Sequence, residues 1–175
     1  MNEFLRRLKL LDNLTTTLPI SKHEFVNRLS KITDNGTTGI FSDPFDAFST
    51  SKNEFKGVVD FDGFKLKRRR RFFDTNMNFA VASGSFKENN GQLIIETEIS
   101  GFNYFFLVFY FFLILFYSVF LFGFLRDGRN TDLIAIPFLL LHATFMFAIP
   151  YFMMRRSVKR LKYELDREFF YLTKN

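Results

Sequence analysis

Two stretches of this chain carry no charge: the 25 residues from Gly101 to Leu125 and the 22 from Leu133 to Met154, separated only by Arg126 to Asp132. A hydrocarbon core about 30 Å thick is crossed by roughly 20 apolar residues at 1.5 Å each. The pattern predicts two membrane-spanning helices, over about 102–125 and 133–154, joined by a tight turn as a hairpin within residues 101–154. Residues 1–100 and 155–175 are then expected together on one side of the membrane.

Outside the hairpin the periodicity changes. Phe4, Leu5, Leu8 and Leu11 recur at helical spacing and predict an amphipathic helix over 3–14. Ser21-Lys22-His23-Glu24 forms a capping box, which opens a second helix over 21–34 with Phe25, Leu29 and Ile32 as its stripe and Asn35-Gly36 as its stop. Residues 37–53 are linker-like, although Phe41, Phe45 and Phe48 behind Asp43-Pro44 allow a short helical turn. Four strands are expected within 54–99: Phe55 to Asp60, Phe64 to about Phe72, Phe79 to Phe86 and Gln92 to Ile99. Asp62-Gly63 and Asn90-Gly91 are the expected hairpin turns, since both pairs tolerate positive φ. After the second span, Val158, Leu161, Leu165, Phe169 and Leu172 repeat at intervals of three and four, predicting a C-terminal helix over 155–175 that covers the sheet. The expected fold class is a two-helix transmembrane hairpin inserted into a small α+β cytoplasmic domain, a four-stranded antiparallel meander with N- and C-terminal helices.

Composition adds compartment and orientation. The mean hydropathy of +0.01 conceals an apolar hairpin and a basic remainder. With no Trp, Tyr104, Tyr151 and Asn103 are the expected interfacial anchors. The first 20 residues place Arg6, Arg7 and Lys9 inside the apolar pattern, so the first span is expected to act as its own insertion signal. The juxtamembrane positive charges Arg155, Arg156, Lys159 and Arg160 outweigh Arg126 and Arg129 of the turn, which predicts both termini on the cytoplasmic side of a bacterial inner membrane. The absence of cysteine removes disulfides, thiolate metal sites and cysteine nucleophiles.

The most conspicuous charged element is Lys65, Lys67, Arg68, Arg69, Arg70 and Arg71, six positive charges in seven residues. An anionic leaflet attracts such residues by about 1 kcal/mol each, so membrane lipid headgroups are one expected partner. An acidic protein or nucleotide is another, and a solvated strand edge guarded by charge is the plain alternative. Nucleic acid is not expected, because no recognition motif accompanies the run. His142 lies near the middle of the second span, where ionisable groups are costly and face a protein interior. Tyr117 and Ser118 lie at nearly the same depth on the first span, and either hydroxyl could bond the ring. A helix-locking role, a proton-relay or cofactor role, and a contact with another subunit all remain open for it. No P-loop, dinucleotide turn, HExxH or GxSxG is present. The acidic pairs Asp60/Asp62 and Glu96/Glu98 lack a third ligand. No catalytic residue, cofactor or metal is expected.

Phe55-Lys56-Gly57-Val58, Phe64-Lys65-Leu66 with its arginines, Gly84-Ser85-Phe86, Asn90-Gly91 and Ile94-Ile95-Glu96, followed by a hydrophobic hairpin, resemble a loosely defined group of uncharacterised small bacterial two-span membrane proteins. The resemblance covers about residues 54–125 and implies no activity, ligand or catalytic residue. The abundance of Phe, Asn, Lys and Ile matches an A+T-rich genome such as those of Bacteroidota. The expected function is a non-enzymatic accessory or interaction subunit with a membrane-protein partner or a homo-oligomeric state. A lipid-binding surface module is the second expectation, and a small enzyme or transporter subunit using His142 the third.

Overall fold

The computed structural model describes residues 1–39, 51–69, 78–126 and 135–174. The expected turn at Phe41, Phe45 and Phe48, the strand extension through Arg70, Arg71 and Phe72, and the inter-span turn with Arg129 lie outside the described residues. The chain divides into two compact units, Met1–Phe102 with Met154–Asn175, and Asn103–Met153.

The first unit contains a six-stranded mixed sheet where four antiparallel strands were expected. Its elements are α1 (Asn2–Arg7), β1 (Leu11–Leu18), α2 (Lys22–Lys31), β2 (Thr33–Asn35), β3 (Phe55–Val59), β4 (Gly63–Arg68), β5 (Val81–Asn89) and β6 (Gln92–Ser100). The sheet order is β1-β6-β5-β4-β3-β2, antiparallel throughout except for the parallel β2–β3 pair. The expected meander is β3 to β6, and the two additions flank it.

Both additions correct the helical reading of the N-terminal third. The helix expected over 3–14 ends at Arg7, because Lys9 adopts φ 57° and the Lys9 and Leu10 amides donate back to Arg6 and Leu5 carbonyls, a Schellman closure with lysine where glycine is usual. Beyond it Leu14, Thr16 and Leu18 alternate with Thr15 and Thr17, and β-branched residues favour the extended β1. The second helix begins as expected, with the Glu24 amide donating to Ser21 Oγ (3.3 Å), but it closes at Ile32, so that Thr33–Asn35 is free to pair with β3. At the β5–β6 turn Asn90 (φ 50°) and Gly91 (φ 76°) are both left-handed, as a type I′ hairpin requires. The β3–β4 turn falls one residue earlier than expected, at Phe61-Asp62, closed by the Asp60 amide on Gly63 O, with no left-handed residue in it.

One face of this sheet is covered by α2 and by the C-terminal part of α4 (Ala135–Lys174), which begins in the second unit. Phe25, Phe64, Phe86 and Phe169 form a closed ring of four contacts with centroids 5.5–5.8 Å apart. Each buried ring contributes about 1.5–3 kcal/mol of burial, and each aromatic pair about 0.5–1.5 kcal/mol more. The sheet's small residues make room for this layer: a Cβ on Gly84 would strike the Phe64 ring, and one on Gly101 would strike Val158 and the Met154 carbonyl.

The second unit holds α3 (Tyr104–Arg126) and the N-terminal part of α4. Both helices are long and apolar enough to cross a membrane, and 6% and 0% of their most apolar windows are buried. A core helix of a water-soluble protein would bury most of such a window. The separate C-terminal helix expected after the second span is instead the continuation of α4, unbroken for 40 residues and passing through Pro150. The charges from Arg155 onward change the helix's environment without ending its hydrogen bonding.

Candidate functional site

Polar residues of the two apolar helices meet within the second unit. Tyr117 Oη on α3 lies 2.7 Å from His142 Nδ1 on α4. In the Nε2–H tautomer the hydroxyl donates to the Nδ1 lone pair. Ser118 does not take part: its Oγ donates to the Ile114 carbonyl one turn back on its own helix. A second clamp lies two turns earlier along α3, where Tyr110 stacks on Phe147 at 5.6 Å and its hydroxyl donates to the Phe147 carbonyl at 3.2 Å. Tyr110 was not expected, although it falls seven residues before Tyr117 on the same helix stripe. Together the two tyrosines tie α3 to α4 by polar contacts that hydrocarbon cannot replace.

The basic strand is largely occupied within the chain. Lys65 is exposed and without a carboxylate partner among the described residues. Lys67 shares its strand face but is 2% exposed, with Nζ directed at the Gly39 carbonyl (3.5 Å). Arg68 turns to the helix-covered face, where Nη1 meets Glu164 Oε1 at 3.0 Å, and Arg160 Nε reaches the same oxygen at 2.9 Å. Arg69 bonds Asp34 on β2, whose other carboxylate oxygen accepts from Asn53 Nδ2 at 2.8 Å. Arg70 and Arg71 lie outside the described residues. Among the described residues of the six-residue basic run, closing the sheet under α4 brings Glu164 to Arg68, and pairing β2 with β3 brings Asp34 to Arg69.

These contacts shift the carboxyls in opposite directions. The hydrogen bond from Ser51, with further help from Asn53 and Arg69, holds Asp34 below the usual carboxylate value against its burial. Burial pushes Glu164 up, against the pull of Arg160. Of the basic residues expected beside the membrane, Arg160 is spent on Glu164, while Arg155, Arg156 and Lys159 have no carboxylate partner among the described residues. Ser157 beside them is 6% exposed, and its Oγ accepts the amide of Ala80, the residue before β5, at 2.9 Å, a bond that no sequence signal marked.

The acidic pairs do not converge. Asp62 binds Lys22 at 3.1 Å, Glu96 binds Lys87 at 2.7 Å, and Glu98 is exposed with no cation partner among the described residues. Among the described residues no group of three or more His, Cys, Asp or Glu side chains is placed to hold a metal ion. An apolar crease of about 490 Å³ runs along α3, bounded by Phe109, Phe112, Phe116 and Phe120. Comparison with protein-family models, curated proteins and solved structures finds no match.

Proposed function

We propose that the chain is a non-enzymatic accessory or interaction subunit of a larger membrane assembly, inserted in a bacterial inner membrane as a two-span hairpin with both termini cytoplasmic. The observation that carries this reading is α3, whose most apolar window is only 6% buried and which offers a creased row of Phe rings to its surroundings. Shape and aromatic packing, rather than apolarity, favour helix over lipid at such a surface. The Tyr117–His142 bond supports a helix-locking role for the intramembrane histidine, which leaves the relay reading without an observation in its favour. The internal pairing of Arg68 and Arg69 likewise weakens the lipid-binding reading.

The test is a photo-crosslinking side chain at Phe112, placed in the full chain at native expression in its own membranes. The expected result is one discrete protein adduct that is recovered in stoichiometric amount after mild-detergent purification. Adducts to lipid alone, with a chain that purifies monodisperse and unaccompanied, would overturn the reading.

A further inference from the structure

The sheet leaves two edges, and they are unequal. β2 is three residues long, whereas β1 pairs with β6 through eight consecutive residues without a bulge. The direction of the β1 backbone groups follows from two independent bonds. The Gly101 amide donates to Leu10 O at 2.9 Å, and these residues continue the register in which Leu11 faces Ser100. Hydrogen-bonded pairs alternate along an antiparallel ladder, so Asp12, Leu14, Thr16 and Leu18 point their N–H and C=O groups at β6. Asn89 and Gln92, which flank the two-residue Asn90-Gly91 turn, set the same phase from the other side of β6. Leu11, Asn13, Thr15 and Thr17 therefore aim their backbone groups away from the sheet.

At the first two of these positions the edge is closed. Leu11 is 5% exposed, and the Asn13 amide is taken by Asp12 Oδ1 at 2.8 Å. Thr15 and Thr17 are exposed, and their backbone groups have no partner among the described residues. Open edges in natural sheets are guarded by lysine, proline, bulges or shortness. β1 has none of these, and its one charge, Asp12, faces Lys162 on α4 at 2.9 Å.

A second feature opens beside this edge. On the sheet face away from the helices, Ser83, Gly84 and Ser85 floor a concavity of about 480 Å³ walled by Asn13, Thr15, Glu96 and Glu98. The register aligns Asn13 with Glu98 and Ser83, and Thr15 with Glu96 and Ser85. Glu96 pairs with Lys87, and the Arg6 guanidinium stands at the rim, 3.1 Å from the Asn13 side chain, whereas Glu98 is exposed and makes no ion pair among the described residues, so it is the carboxylate this trough offers.

We propose that β1 receives an extended segment of a partner protein as a seventh strand, with Lys or Arg at alternate positions lying in this trough against Glu98. Main-chain bonds to Thr15 and Thr17 supply the pairing, and the alternation of strand side chains supplies the selectivity. Two strand spacings, roughly 10 Å, separate the added strand from β6, a gap that a lysine and a glutamate cover from opposite ends across the short Asn13. The proposal rests on the interaction-subunit reading and names the surface and chemistry of one partner.

The test uses the full chain at native expression in its own membranes, with the photo-crosslinker at Thr17 in one preparation and at Phe112 in another. A Thr17 adduct whose mapped peptide is extended and carries Lys or Arg at alternate positions is the expected result. Thr15→Pro removes an amide that no internal bond uses, so the sheet melts as in the parent while the Thr17 adduct falls about tenfold or more. Glu98→Lys, an exposed change that leaves folding intact, lowers the adduct severalfold, and raised salt lowers the parent's adduct in the same way. A Thr17 adduct indifferent to both variants, or one mapping to β1 of a second copy, overturns the proposal. No Thr17 adduct with a persistent Phe112 adduct sinks the added strand alone, whereas loss of both sinks the interaction-subunit reading as well.

Discussion

Phe25, Phe64, Phe86 and Phe169 in the sheet unit are 0–6% exposed, whereas Phe105, Phe111, Phe112, Phe116, Phe120 and Phe122 on α3 are 43–69% exposed. The same side chain thus answers to two environments. In the sheet unit the chain supplies the apolar surroundings itself, and each ring is held by the edges of its neighbours. In the hairpin unit the chain leaves these rings uncovered, and a ring's identity matters only where something else packs on it.

The comparison breaks most sharply at the aromatic ring of four. Phe169→Ala opens a cavity against Phe25 and Phe64 and is expected to cost the sheet unit about 3–5 kcal/mol, read as a lowered chemical-denaturation midpoint. Phe112→Leu on α3 is the matched control, with an expected change under about 0.5 kcal/mol on the same measurement, because an exposed ring leaves no cavity.

A smaller effect is expected where charge, not carbon, ties α4 to the sheet. Arg68→Ala leaves the buried Glu164 with its bond to Arg160 and the more distant charge of Arg167, and its expected cost is about 2–3 kcal/mol, below the 3–5 of a buried pair left with no partner. The pH dependence of stability separates the two carboxyls. Glu164, raised by burial, keeps in the folded chain a proton that the unfolded chain releases. Stability therefore falls as pH rises from the ordinary 4.5 through the raised value, and Glu164→Gln flattens that slope. Asp34, lowered chiefly by Ser51, contributes stability that is present above 3.8 and lost as pH falls through its folded value. Asp34→Asn removes that acid-side loss, which a denaturation midpoint measured against pH records.

In the hairpin unit the expected energies are smaller again. Tyr117→Phe removes the bond to His142 and is expected to weaken helix association by about 0.6 kcal/mol, the scale of interhelical hydrogen bonds in lipid. A double-mutant cycle with His142→Leu should recover most of that value as coupling. Additive losses would show that the bond does not lock the helices.

Much of this fold was legible where one local rule acted alone. Uninterrupted apolar runs mark α3 and the first part of α4, Ser21 marks the start of α2, and Asn90-Gly91 marks the β5–β6 turn. β1 was obscured because Phe4, Leu5, Leu8 and Leu11 keep helical spacing across a boundary that Lys9 breaks without glycine. β2 was invisible because three residues carry no period. At the candidate sites, the meeting of Tyr117 with His142 followed from depth counting along two spans, but Ser118 could not be set apart from Tyr117 without knowing which way each faces. The fate of the basic strand was least legible, since Arg68 and Glu164 stand nearly a hundred residues apart.

By itself the sequence determined that the chain holds two helices apolar enough to cross a membrane and a polar remainder that alternates as strands, because hydrophobic period is a local property of consecutive residues. Long-range packing alone makes α4 one continuous helix, sets Arg68 and Arg69 against Glu164 and Asp34, and leaves β1 at the open edge. Charge pairing and edge position depend on which distant strands become neighbours, and no run of adjacent residues encodes that.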